Sequence, residues 1–458
     1  MKRFITVLSI LGFMAVSASA QTSHSAYFLD NYSYSYRLNP SLLIEKGFIG
    51  LGGTANLNSD LGVSSLLYPA PDGSGLVTGL NSAISSEEFL SNIKDANAID
   101  LDAGVTLFSL GARSINSMTN FEINVRALGN AALPGDLFRF LKNGSSDSAY
   151  DLSTTDINAQ AYAEIAFGKA FRKKKFTWGF RVKGIFGLAN LDLQTTKALL
   201  TSTDTQISAE TDIRARLACA PVSLKKDGDK LSYELIPNSI KPCGYGAAVD
   251  LGITWAPFKG LTLSAGINDL GGAYWMYNNI LAASGNASFD GLDLSKTNDV
   301  QGELNAAKDE LLKMADFKVL DATESEFGML PFSANAGVRY RLPIINFLSV
   351  GAFGTYNYSP VNPTWDARVG ATLTLFRGLS LTGNYGWSNF GNVCGAGLSL
   401  SLLFLNAFVT VDGYSGPIGM YNYEDPNMHL TVPFPVDSFR YRINFGVTFQ
   451  LGRRFLHQ

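Results

Sequence analysis

The chain has 458 residues, only 16% of them charged, with 45 Gly, 30 Phe and 19 Tyr. Soluble domains run nearer ~25% charged, and a formal net charge of −3 gives no footprint for nucleic-acid binding. The composition therefore argues against both a charged soluble domain and a nucleic-acid binder.

The first element is a secretory signal. Lys2 and Arg3 precede an apolar run, 4–16, that is too short to span a membrane as a mature helix. Ala18-Ser19-Ala20 is a small-residue cleavage site, which predicts a signal peptide over 1–20 and a mature start at Gln21. Removing Lys2 and Arg3 leaves 34 basic against 39 acidic residues, or −5. No Cys follows the site, so a lipid anchor is not expected. Beyond the signal no run of ~18 apolar residues occurs. The most apolar stretch, 398–411, is broken by Ser399, Ser401, Asn406 and Thr410. An exported chain without a spanning helix is periplasmic, secreted or an outer-membrane barrel.

Period-two alternation selects the barrel. After a lead segment, 21–47, a Gly-rich first strand covers 47–57. Leu101, Ala103, Val105 and Leu107 then oppose Asp102, Gly104 and Thr106. Glu122 and Arg126 lie on the polar face behind Phe121, Ile123 and Val125. Glu164 opposes Ile165, Arg181 and Lys183 oppose Phe180 and Val182, and Asp250 opposes Val249 and Leu251. The segments 332–340, 365–375 and 379–387 repeat the pattern, with Arg339, Asp366 and Arg368 on the polar face. The last strand, 439–451, is apolar at every odd position and carries Arg440 and Arg442 among its even ones. Strand side chains alternate between faces, so one side suits lipid and the other a polar lumen. A sandwich needs only about seven to nine strands. The expected fold is all-β: a transmembrane antiparallel up-and-down barrel of 14–16 strands with short loop helices. Sixteen follows if 195–203 is a strand of its own, fourteen if it is not; fifteen is rejected because such barrels have even counts. Helical patterns are expected at 85–96, 134–142 and 300–317, all in outer loops. Short turns at 257–260, 342–346, 377–378 and 403–405 mark the periplasmic end, and the links 271–330, 358–363, 389–391 and 414–437 the outer end. Trp255 is expected in the lower aromatic girdle, Trp365 and Trp387 in the upper.

Three Cys remain. A disulfide between Cys219 and Cys243 would clamp the base of an outer loop, and export permits it. Cys394 is expected as a buried or lipid-facing thiol.

Enzymatic chemistry is not expected. His24, His429 and His457 fall in three unrelated regions and offer no metal spacing. Gly413-Tyr414-Ser415-Gly416-Pro417 lacks the second Gly of a nucleophile elbow. His429 with Asp425 and Asp437 is the one surface-hydrolase constellation, and a solvated loop His is the better reading. No catalytic residue, metal or cofactor is assigned. The chemistry left is the lumen: Asp102, Glu122, Arg126, Glu164, Arg181, Lys183, Asp250, Arg339, Asp366, Arg368, Arg440 and Arg442. Paired, these charges brace a closed barrel. Alternatively Arg440, Arg442, Arg181 and Lys183 form a basic ladder that draws in an anionic solute.

The N-terminal residues Tyr27-Phe28-Leu29-Asp30 and Tyr36-Arg37-Leu38-Asn39-Pro40-Ser41-Leu42, followed by the Gly-rich strand, resemble the opening of a Bacteroidota outer-membrane barrel family of unassigned function. More distantly the layout is similar to the long-chain fatty-acid transporter superfamily. That resemblance implies an N-terminal plug in the lumen, here carrying Tyr27, Phe28, Asn39 and Pro40. The final strand resembles the recognition signal of the outer-membrane barrel assembly machinery, with Asn444, Gly446, Phe449 and Leu451 in the signal positions. The expected organisation is signal peptide 1–20, plug or periplasmic lead 21–47, barrel 48–452 and tail 453–458. The expected partners are outer-membrane lipid, the assembly machinery and a small hydrophobic or anionic solute. The expected function is passive transport of a small or amphipathic solute across the bacterial outer membrane. The alternative is a non-conducting structural or secretion-associated barrel that docks cell-surface proteins.

Overall fold

The computed structural model describes residues 23–51, 57–64, 67–69, 76–143, 148–202, 206–227, 230–236, 241–290, 318–320, 322–376, 378–415, 418–425, 428–435, 438–452 and 454. The expected signal peptide, the helix expected at 300–317 and most of the C-terminal tail lie outside these residues.

Fourteen antiparallel strands close into one barrel. In chain order they are β1 (Gly47–Leu51 and Leu57–Ser64), β2 (Ala96–Arg113), β3 (Ser117–Pro134), β4 (Asp156–Lys173) and β5 (Phe176–Ser202). Then come β6 (Gln206–Ala218 and Gly244–Trp255), β7 (Leu261–Tyr277 and Asn279–Asp290) and β8 (Lys318–Leu320, Glu324–Met329 and Phe332–Arg341). The circuit ends with β9 (Leu348–Tyr358), β10 (Thr364–Leu375), β11 (Leu379–Ser388), β12 (Gly391–Leu402), β13 (Leu405–Ser415) and β14 (Ser438–Leu451). The seam is β1 on β14, with Phe48 opposite Gln450 and Leu57 opposite Phe445. Closure leaves no sheet edge, as a membrane-spanning sheet requires.

The count is the lower of the two expected, and 195–203 is not a strand of its own. Residues up to Ser202 are the upper end of β5, which pairs below with Gly244–Trp255 and above with Gln206–Ala218. The two pieces of β6 run in one direction, interrupted by the outer hairpin of Val222–Asp227 with Lys230–Leu235. With 206–218 and 244–255 forming one crossing, the even count closes at fourteen and needs no strand at 195–203. The stretch 271–330 is likewise not one loop: β7 continues to Asp290, and β8 resumes at Lys318.

The pleat sorts the side chains. On β14, Arg442, Asn444 and Thr448 are buried, while Phe445, Phe449 and Leu451 face out. Trp255, Trp365 and Trp387 are also on the outer face, with Trp255 stacked on Phe176 at 5.9 Å near the short-turn end. The exposed Cys394 sits on the same surface. Two outer-loop helices pack together: α1 (Ser86–Asn92), capped by Ser85 Oγ accepting from the Glu88 amide at 3.1 Å, and α2 (Gly135–Asn143). Phe89 of α1 meets Phe138 of α2 at 6.2 Å. Lys142 donates to the carbonyls of Gly79, Asn81 and Ile84, which ties the loops into a small cap.

The disulfide expected between Cys219 and Cys243 is not formed; both are free thiols. Cys243 Sγ instead donates to the Ala218 carbonyl at 3.4 Å.

Candidate functional site in the lumen

The N-terminal segment 23–46 runs inside the barrel. Tyr27, Phe28, Tyr32, Tyr34 and Tyr36 are buried, and with Phe48, Phe353 and Phe408 of the wall they form an aromatic core. A run rich in tyrosine suits this place, because each ring buries apolar area while its hydroxyl finds a wall partner. Tyr27 meets Ser264, Tyr34 meets Ser109, and Tyr32 accepts from Asn444 at 2.9 Å. Asn39 donates to the Ala265 carbonyl at 2.8 Å, and Ser41 pairs with Thr254 at 2.6 Å.

Glycines in the wall make room for it. A Cβ at Gly252 would lie 2.0 Å from Asn39 Oδ1, and one at Gly179 would lie 2.3 Å from the Pro40 carbonyl oxygen. The second clash is with backbone and cannot be relieved by a rotamer change. Gly179→Ala is expected to displace 39–41, so that a cysteine placed at Ser41 reacts with a polar thiol reagent several-fold faster than in the parent.

Charge fixes the segment at three points. Near the seam, Asp412 of β13 accepts from Ser23 Oγ at 2.9 Å, from the His24 amide at 2.7 Å, from the Ser25 amide and hydroxyl, and from Arg368 Nη1 at 2.9 Å. Arg368 also donates to Asp366 through Nε at 2.9 Å and to the Tyr414 hydroxyl at 2.9 Å. Toward the short-turn end, Asp30 accepts from Arg339 and Arg341 and from Thr374, each at 2.6 Å. On the other wall, Tyr36 donates to Glu122 at 2.6 Å and Arg37 at 2.9 Å. Glu122 is held in turn by Arg181 at 2.6 Å. Arg181 reaches Asp250 at 3.0 Å, Lys183 bridges Asp250 and Asp269, and Arg126 reaches Asp269 at 3.0 Å and Glu164 at 3.7 Å.

His24 is expected to make this docking sensitive to acid. Its Nδ1 lies 2.7 Å from Asp366, while Arg442 donates to Nε2 at 2.8 Å. The ring is therefore the neutral Nδ1–H tautomer. Burial lowers its pKa below the ordinary 6.5; Asp366 opposes that shift and Arg442 adds to it. A base with a depressed pKa in the docked state takes up a proton more readily once released. This contribution to docking is thus complete above about pH 6.5 and declines as pH falls through that value toward the lowered pKa. Reconstituted protein is expected to open more often at about pH 5 than at about pH 7.5, with the difference reduced by His24→Gln.

A further contact lies above the segment. The loop 359–363 between β9 and β10 reaches the opposite wall, with Ser359 donating to Asn130 at 3.1 Å and Asn362 to Asp100 at 2.8 Å. Arg440 comes within 3.9 Å of Asp100. Within the lumen a polar cavity of about 60 Å³ is lined by Arg37, Glu122, Arg126, Glu164, Asn268 and Asn335. That volume suits about two water molecules. Arg126 Nε, Glu164 Oε2, Asn268 Oδ1 and Asn335 Oδ1 have no hydrogen-bond partner among the described residues.

Glu122, Arg126, Glu164, Arg181, Lys183 and Asp250 come together on β3 to β6, and Asp366, Arg368 and Arg442 meet near the seam. Asp102 lies on β2 within reach of the charge of Arg126. The proposed basic ladder is not assembled: Arg181 and Lys183 sit on β5, Arg440 and Arg442 on β14, and the first two are neutralised by Glu122, Asp250 and Asp269. The sequence reading missed His24, Asp30, Arg37, Asp269 and Asp412 as lumen residues. Asp412 shares the phase of Asn406 and Thr410, a signal that was available. Asp269 sits in a β-bulge with φ 63°, which breaks the phase. His429 lies in an outer hairpin opposite Glu424, and Asp437 lies outside the described residues.

Residues 40–412 match DUF5723, a family of unknown function. No curated protein sequence matches the chain. Among solved structures, the toluene transporter TodX of Pseudomonas putida aligns at 10% identity over 96% of both chains, with a TM-score of 0.40. A FadL homologue of Pseudomonas aeruginosa aligns at 12% identity over 95% of this chain and 100% of that one, with a TM-score of 0.44. The toluene transporter TbuX of Ralstonia pickettii aligns at 8% identity over 93% and 95%, with a TM-score of 0.43.

Proposed function

The chain belongs to the DUF5723 family, and we propose that it is an outer-membrane barrel, exported by a cleaved signal, whose own N-terminal segment closes the lumen at rest. Passage of a small amphipathic solute then requires that segment to shift. The observation that carries this reading is the docking of 23–46 by hydrogen bonds and ion pairs to carboxylates and arginines on β3, β8, β10 and β13. These are polar contacts that water can replace, unlike a covalent closure. A fused aromatic core along the same segment supplies an amphipathic surface once the segment moves.

Liposomes carrying the intact protein are expected to take up small amphipathic solutes slowly, and those carrying protein without 23–43 quickly. No uptake by either form would end the transport reading. The mutual neutralisation of the lumen charges favours the second reading, a non-conducting barrel that docks cell-surface proteins, and that outcome would select it.

A further inference from the structure

We propose that the short-turn end of the barrel is a ring-shaped seat for the anionic phospholipid headgroups of the leaflet around it. This deepens the reading of the chain as an outer-membrane barrel and rests on it. Two features mark the six turns at this end. Five of the six carry a large apolar side chain at the tip, unlike a solvated turn: Ile115, Phe258, Ile344, Phe376 and Leu403 are 69%, 57%, 95%, 95% and 90% exposed; the sixth, 171–176, has a lysine tip with the exposed Phe176 beside it. None contains an acid, as 113–117, 171–176, 256–261, 341–348, 375–379 and 402–405 hold no Asp or Glu. Cations stand beside the apolar tips: Arg113 before Ile115, the run Lys173-Lys174-Lys175 before Phe176, and Lys259 after Phe258. At 402–405 the cation comes from the N-terminal segment, where Lys46 Nζ donates to the Leu403 carbonyl at 3.0 Å. Two carboxylates near this end are turned away from it: Asp30 is held by Arg339 and Arg341, and Glu45 by Arg454.

Apolar tips this exposed are unfavourable in water but at home in the headgroup boundary, where apolar groups insert and basic groups meet anionic lipid. Lysine stems cross such a boundary with the ammonium at the phosphate level. The distribution identifies the partner. A docked protein covers one sector of a rim, whereas these features recur at turn after turn around the circuit. A surface that encircles the barrel is complementary to the leaflet that encircles it.

The test uses the full chain in nanodiscs of mixed phosphatidylglycerol and phosphatidylcholine, with retained lipid counted by native mass spectrometry. The wild type is expected to retain phosphatidylglycerol several-fold over phosphatidylcholine. Lys173→Gln with Lys174→Gln and Lys259→Gln should bring the ratio near unity, and the matching Arg substitutions should preserve it. Equal retention by the wild type, or an unchanged ratio in the Gln variant, overturns the proposal. So does an acidic protein that binds stoichiometrically and is lost in the Gln variant while the lipid ratio stays fixed. Heat-dependent gel migration of each protein checks the barrel separately, and its failure in the wild type would count against the outer-membrane reading itself.

Discussion

Deleting residues 23–43 is expected to turn a barrel of low conductance into an open one, raising ion flux across a planar bilayer by more than ~10-fold. Volume sets this expectation. Barrels somewhat larger than this one leave an aqueous channel unless something fills it. Here the fill is the segment from Ser23 to Leu43, whose residues are almost all buried. The wall behind it carries Ser109, Ser264, Asn268, Thr372, Ser380 and Asn406, which water can solvate once the segment is gone. The barrel itself should survive, because its ladder is continuous from β1 to β14 without the segment. An unchanged conductance in a folded deletion variant would mean that the outer loops, such as 359–363 on Asp100 and Asn130, close the lumen unaided.

Arg368→Met is expected to destabilise the barrel by about 3–5 kcal/mol in urea unfolding, because it strands buried carboxylates. Arg368 is 1% exposed and serves both Asp366 and Asp412. Its loss leaves Asp412 with donors from 23–25 and Arg442 nearby, too little charge for two buried acids. Removing the acids as well, with Asp366→Asn and Asp412→Asn, should recover part of the loss, since uncompensated charge is the main cost. An Arg368→Met protein as stable as the wild type would show that water reaches this cluster.

The fold was largely legible because a lipid-facing strand writes a period of two into its residues. β14 is the clearest case, where Arg442 and Asn444 turn inward and Phe445 and Phe449 turn outward as the alternation predicts. The strand number was not fixed, because β6 is split by a hairpin and nothing local says that Gln206–Ala218 and Gly244–Trp255 are one crossing. The lumen charges on regular strands could be read from phase. Their pairing could not: Glu122 meets Arg181 across 59 residues and Asp412 meets His24 across 388. His24 looked solitary because its partners lie on β10 and β14. Asp269 escaped because a bulge placed two successive residues, Asn268 and Asp269, on the inside. Cys219 and Cys243 are free thiols, with Cys243 donating to the Ala218 carbonyl, a contact that spacing does not encode.

The N-terminal segment lies in the lumen against the closing strand. Ser33 Oγ and Thr448 Oγ1 are 2.9 Å apart, and 415 residues separate them in the chain. In a chain with Cys219, Cys243 and Cys394 changed to Ser, the pair Ser33→Cys and Thr448→Cys should form a disulfide on mild oxidation in intact outer membranes. When the pair is combined with Gly179→Ala, which weakens docking, conductance should stay low while the bridge is intact and rise when a reductant is added. A folded barrel in which the two cysteines remain free, or in which the bridge forms without affecting conductance when the segment is otherwise destabilised by Gly179→Ala, would contradict the account.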